Sequence, residues 1–134
     1  MPRTILLVDD SLSIRSILKV YLLPLKLELL DAEDGLRACQ LLRLVPVDLI
    51  IADVKMEPMD GLTLLEKVRT SERDEIRRVP VILLTGETGE GLRERGLQAG
   101  ANAFIHKPID PKHLLDCVQG LLSGSDTNPK PIPE

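Results

Sequence analysis

The segment VDLIIADV, residues 47–54, is apolar almost without interruption and spares no polar face for solvent. Such a run is too short for a buried helix pattern and fits a central parallel strand covered on both sides. A strand of that kind cannot exist alone. It requires parallel neighbours and helices to cross between them, and the rest of the chain supplies both.

TILLVDD (4–10) is an apolar run ending in two carboxylates, followed by Ile14, Ile17, Leu18, Tyr21 and Leu22 at helical spacing, with Pro24 closing the helix. LELLDA (27–32) is a weaker strand, interrupted by Glu28 and Asp31. Asp34-Gly35 then caps a helix with Ala38, Cys39 and Leu42 inward. After 47–54, Asp60 caps a third helix with Leu62, Leu65 and Val68 inward, and TSERDEIRR (70–78) reads as a solvated connection. Pro80 opens VILLTG (81–86). Residues 89–100, GEGLRERGLQAG, make a poor helix, since Gly91 and Gly96 inside it cost about 2 kcal/mol relative to Ala. AFIHK (103–107) is the fifth strand, and Asp110-Pro111 starts a last helix that buries Leu114, Cys117, Val118 and Leu121. Five βα units predict an α/β fold, an open, doubly wound, five-stranded parallel sheet with helices on both faces. Residues 1–122 form that domain, and the Pro-rich 123–134 reads as a disordered tail or linker.

Composition narrows the function classes. The 134 residues carry a formal charge of −4 with both signs interspersed, so no basic face suggests direct nucleic-acid binding. No apolar run approaches a membrane span, and the early turn to acidic residues is unlike a signal peptide, so a cytoplasmic protein is expected. Cys39 and Cys117 read as reduced core thiols, and His106 and His113 as surface residues. Tyr21 and Phe104 are the only aromatics, so the core is aliphatic.

In sheets of this kind the working site lies beyond the carboxyl ends of the strands, where strand order reverses. Those ends carry Asp9 and Asp10, Asp53, Thr85 and Lys107. Three close carboxylates resist ionisation unless a cation sits among them, and all-oxygen ligands favour a hard, partly hydrated ion, Mg²⁺. With a Lys nearby this becomes a phosphate environment. No Gly-rich loop follows the first strand, and no Ser or Cys nucleophile stands beside a base. The remaining nucleophile is a carboxylate, giving an aspartyl-phosphate, and spacing alone leaves open which of the three attacks.

These residues are similar to a known family. LLVDDS, IIADV with MDG at 59–61, LLTGE and AGANAFIHKP resemble the receiver domain of bacterial two-component response regulators, of the chemotaxis-regulator type, across nearly all of 4–122. The resemblance implies a flavodoxin-like three-layer sandwich with strand order 2-1-3-4-5, two helices on one face and three on the other. It places Asp53 at the phosphoacceptor position. Mg²⁺ would be held by Asp10, Asp53 and the backbone carbonyl of Lys55, with Asp9 acting largely through water. Thr85 would hydrogen-bond a phosphoryl oxygen and Lys107 would pair with it, the Lys107–Pro108 bond being cis. Phe104 stands where the family has a switch aromatic, which would follow Thr85 inward and alter the face of the fourth helix, fifth strand and fifth helix. The donor would be a phosphohistidine on a sensor histidine kinase or phosphotransfer protein, and the output a protein partner, with the chain a monomer or weak homodimer. Such a domain catalyses only its own phosphorylation and dephosphorylation.

Two positions depart from the family pattern. The Pro that commonly follows Met56 is displaced to 58 by Glu57, which alters the loop without losing a site side chain. Lys55 and Glu87 each lie two residues past a site residue, where a pair across the site would slow hydrolysis. Two other readings compete. An aspartyl-nucleophile phosphatase would carry DxD where this chain has DDS. A phosphorylation-independent pseudo-receiver normally lacks part of the acidic set, which is complete here. A stand-alone regulator is favoured over a receiver cut from a larger protein.

Overall fold

The apolar runs form β1 (Thr4–Val8), β2 (Glu28–Ala32), β3 (Leu49–Asp53), β4 (Val81–Thr85) and β5 (Ala103–His106). The helices are α1 (Leu12–Leu22), α2 (Gly35–Leu44), α3 (Gly61–Arg69), α4 (Asp74–Arg77), α5 (Glu90–Gln98) and α6 (Pro111–Ser123). A computed structural model describes residues 2–56, 59–86 and 90–123, and for 90–92 the backbone alone. The expected tail from 124 onward, and Glu87, lie outside the described residues.

All strand pairings are parallel and the order is β2-β1-β3-β4-β5, as the resemblance implied. The period-two alternation of each strand divides the core in two. Leu6, Val8, Ile50, Ala52, Leu83 and Phe104 face α2 and α3 through Ala38, Leu42, Leu64, Leu65 and Val68. Ile5, Leu7, Ile51, Ile82, Leu84 and Ile105 face α1 and α6 through Leu18, Leu22, Leu114, Cys117 and Val118. Every residue of β3 and β4 is buried, which is why those runs have no polar side. Gly96 brings α5 onto the α2–α3 face against Leu83 and Phe104, giving the expected two-and-three division of the long helices.

Helix starts follow the polar residues. Asp34 Oδ1 accepts from Arg37 N (2.9 Å), Asp60 Oδ1 from Thr63 N (2.7 Å) and Asp110 Oδ2 from His113 N (3.0 Å), all as predicted. Ser11 Oγ does the same for α1, accepting from Ile14 N at 3.3 Å. The charge that weakens β2 in the sequence has a partner. Asp31 takes Arg15 Nη1 at 3.1 Å and Lys19 Nζ at 2.5 Å, both from α1, so the edge strand is tied down by ion pairs as well as by apolar contact.

Several expectations need correction. The stretch TSERDEIRR is not wholly a solvated connection, because it contains α4 and buries Ile76 against the α2–α3 cluster. As a result the predicted fourth and fifth helices are α5 and α6. Leu64 is buried in α3 whereas Leu62 is only half-buried, and Ile17 of α1 faces solvent, because each inward stripe is narrower or slightly rotated from its periodic reading. Cys117 is buried and Cys39 half-buried against the α2–α3 core, both free thiols as expected. His113 is half-buried rather than on the surface, its ring nitrogens 3.9 Å from Cys117 Sγ one turn along α6. Among the described residues no helix is long and apolar enough to cross a membrane.

Candidate functional site

Strand order reverses between β1 and β3, and the carboxyl ends of those two strands carry the acidic residues. Asp9 follows β1 directly. Its backbone N–H donates to Ala32 O at 3.1 Å, extending the β1–β2 pairing by one residue and fixing the side chain at the crevice. Asp53 is the last residue of β3, and Asp10 opens toward solvent beside them. One carboxylate oxygen from each of the three lies within 4.8 Å of the others.

The environments of the three differ. Asp9 is 0% exposed; its Oδ1 accepts from Ser11 N at 2.8 Å, while Oδ2 is buried with no hydrogen-bond partner. Asp53, 7% exposed, accepts from Lys55 N at Oδ1 (3.2 Å) and from Lys107 Nζ at Oδ2 (3.1 Å). The same ammonium stands 3.6 Å from Asp9 Oδ2, so it bridges the two buried carboxylates. Burial pushes the Asp9 carboxyl above the usual carboxylate range. The Ser11 N–H works against this, the charge of Asp53 adds to it, and Lys107 and Asp10 make smaller opposite contributions.

Thr85 and Lys107 reach this rim from the far side of the sheet. Thr85 ends β4 at 1% exposure, and its carbonyl accepts from Lys107 N at 2.7 Å. Lys107 follows β5, and the Lys107–Pro108 bond is cis, as the resemblance implied. Behind Asp53 the chain turns back sharply. Gly61 N donates to Val54 O at 2.9 Å, and a Cβ on Gly61 would stand 2.3 Å from the carbonyl oxygen of Asp53. Only glycine lets α3 begin that close to the strand end. Lys55 is exposed at the start of this turn, and the Met56 and Met59 side chains are buried beneath it.

Phe104 lies away from the rim, under α5. Its ring is 6% exposed and occupies the space above Gly96, where a Cβ would be 2.9 Å from Cε2. His106, exposed two residues on, stacks edgewise at 6.0 Å between ring centroids. Of the five strand-end residues read from the sequence, Asp9, Asp10, Asp53 and Lys107 converge, and Thr85 ends the neighbouring strand with its carbonyl bonded to Lys107 N. The Ser11 and Gly61 backbone contacts were not foreseen, although a Ser directly before a helical stripe is an N-cap signal.

The donor set fits Mg²⁺. It is all carboxylate oxygen, it includes one buried oxygen with no hydrogen-bond partner, and Asp10 leaves a side open to the waters that this ion retains.

An acidic crevice at the switch point of a 2-1-3-4-5 sheet, with a Lys bridging two buried Asp, defines the class. The chain belongs to the response regulator receiver domain family, which matches residues 5–119. Among curated relatives it is 34% identical over 122 residues to the response regulator GtcR of Aneurinibacillus migulanus, covering 91% of this chain and 48% of that protein. The chain thus spans about half the length of that relative and of several others like it. It is 36% identical over 124 residues to the chemotaxis protein CheY1 of Helicobacter pylori, covering 91% of this chain and 98% of that one. Among solved structures, the receiver domain of the sensor histidine kinase PA1611 from Pseudomonas aeruginosa superposes with a TM-score of 0.83 at 29% identity, covering 92% of this chain and all of that one. That structure has a magnesium ion coordinated in its active-site cleft.

Proposed function

We propose that this chain is a phosphoacceptor, taking a phosphoryl group onto Asp53 from a phosphohistidine of a sensor histidine kinase or phosphotransfer protein in the cytoplasm. The observation that carries the reading is the pairing of Asp53 Oδ2 with Lys107 Nζ (3.1 Å), the same ammonium standing 3.6 Å from a buried Asp9 oxygen that has no hydrogen-bond partner. Asp9, Asp10, Asp53 and the Lys55 backbone carbonyl would hold Mg²⁺, which when bound supplies charge neutralisation on the oxygens of the transferring group. A carboxylate oxygen of Asp53 attacks phosphorus in line. A P–O bond forms, the donor's P–N bond breaks, and the imidazole leaves with a proton. Lys107 turns its ammonium from the carboxylate to a phosphoryl oxygen, and the Thr85 hydroxyl donates to another.

The phosphoryl group carries roughly two negative charges, and because the Asp53 carboxylate gives up its own, the rim gains about one. Thr85 closes on it, Phe104 follows inward along β5, and the α5–β5–α6 face changes shape for a downstream protein. The chain performs no catalysis beyond its own phosphorylation and dephosphorylation, and Lys55 with Glu87 tunes the latter. Residues 1–122 are the receiver and 123–134 a tail or linker. Incubation with acetyl phosphate and Mg²⁺ should leave acid-labile, stoichiometric phosphate that Asp53→Asn abolishes. Phosphate that persists in that variant, or turnover of a generic phosphate ester by the wild type, would overturn the reading. One Phe104 rotamer with and without beryllofluoride would remove the switch.

A further inference from the structure

We propose that the pole of the sheet opposite the aspartates carries a docking cleft for an acidic segment of a partner protein, anchored by an aliphatic side chain. A cavity of about 500 Å³ opens there between the end of α2, α4 and the residues that lead into β3 and β4. A second hollow of about 160 Å³ adjoins it along α2 and α3, sharing Leu42, Arg43 and Ile76. The larger volume is in the range of ordinary ligand sites. The length of β3 separates it from Asp53 by roughly 16 Å, so a segment bound here leaves the acidic rim open.

The chemistry of the lining selects the occupant. Leu42, Ile76 and Val79 form a buried aliphatic floor, and Leu44, 73% exposed, stands at the mouth. Arg43, Arg73 and Arg78 surround this floor. The acids nearby are already engaged, Asp48 Oδ2 by Thr4 N at 2.8 Å and Glu75 by Arg73 at 3.5 Å. Among the described residues no ion pair or hydrogen bond engages the side chains of Arg43 and Arg78, and both are exposed. Two guanidinium groups over an aliphatic floor match carboxylates flanking a Leu, Ile or Val. A nucleotide fits poorly, because the chain's two aromatics, Tyr21 and Phe104, lie elsewhere and the cleft has no ring for a base to stack on.

The cleft is also built before anything enters it. Arg69 Nη1 donates to the carbonyls of Arg77 (2.9 Å) and Val79 (2.7 Å), holding the α4 wall in place. Arg73 Nη1 donates to Arg43 O at 3.2 Å across the gap between α4 and α2. A wall fixed in this way loses little freedom on binding.

The test uses the full chain, ¹⁵N-labelled, titrated with a ten-residue peptide of alternating Glu and Leu, with a Lys-for-Glu peptide and a nucleoside diphosphate as separate arms. The acidic peptide should give saturable amide shifts clustered at 42–48 and 73–80. The doubly substituted Arg43→Glu/Arg78→Glu chain should bind it at least tenfold more weakly while still taking phosphate from acetyl phosphate at the wild-type rate. Absence of saturable shifts at millimolar peptide, equal binding of the Lys peptide, shifts indifferent to the two substitutions, or preference for the nucleoside diphosphate would each overturn the proposal.

Discussion

Replacing Gly96 by Ala pits two effects of known size against each other. In a helix interior the substitution gains about 1 kcal/mol of propensity. Here the added Cβ would stand 2.9 Å from Phe104 Cε2 and 3.2 Å from both Phe104 Cδ2 and Leu83 Cδ1. Overpacking of that kind costs about 1–3 kcal/mol, so the net result is destabilisation by up to about 2 kcal/mol. Phe104→Leu removes the ring edge and with it most of the overlap. In that background Gly96→Ala should become stabilising, by up to about 1 kcal/mol. Urea unfolding of the four chains of the cycle, without metal, measures the coupling, expected at about 1–3 kcal/mol. A coupling below about 0.5 kcal/mol would refute the reasoning, because a helix that merely lifts off the sheet costs the same in both backgrounds. Since Phe104 is the chain's only Phe, one labelled ring also reports directly whether the Gly96→Ala substitution displaces it.

Asp9→Asn should stabilise the metal-free chain at neutral pH by about 1–3 kcal/mol, by relieving a buried carboxylate whose Oδ2 has no hydrogen-bond partner and only a 3.6 Å approach of the Lys107 ammonium. The folded chain holds the Asp9 proton more tightly than the unfolded one, so the group's contribution is present at low pH and lost as pH rises through its raised pKa. Unfolding curves across that range should lose this slope in the variant, and added Mg²⁺ should raise the melting temperature of the wild type alone. Arg69→Met should cost at least about 3 kcal/mol in urea unfolding, since it removes the guanidinium donors to the carbonyls of Gly100, Arg77 and Val79. Arg69→Lys should recover less than half, because an ammonium lacks the planar fork. Gly61→Ala should destabilise by about 1–3 kcal/mol and slow acetyl phosphate labelling more than Gly96→Ala does, since its Cβ meets the backbone of Asp53 itself.

The sheet and the rim were legible because both are written locally. A strand covered on both faces has to be an unbroken apolar run, as in β3 and β4, and a polar residue ending such a run has to lie at the sheet's carboxyl edge. Strand order came from family likeness, since alternation fixes the elements and not their sequence across the sheet. α4 escaped because four residues are too few to show a period, and its one buried side chain, Ile76, sits among charges. Arg69 escaped for a different reason. A basic residue in the last turn of a helix normally faces water, and nothing near it in the chain announces acceptors 31 and 33 residues away. The role of Gly96 was half visible: its cost to the helix could be read from the sequence, but the ring that requires it lies on another element.

The half-buried Arg69 guanidinium has a mechanical consequence. Arg69 holds Gly100 O through Nε and Nη2 and Asn102 Oδ1 through Nη2, and Asn102 Oδ1 also takes Val81 N, so α3, β4 and the seam between α5 and β5 are riveted at one point. With its C-terminal end pinned there, α5 can move only as a lever about that rivet. Nine residues make an arm of about 13 Å, so a tilt of about 10° carries the opposite end through roughly 2 Å while the pinned end stays still.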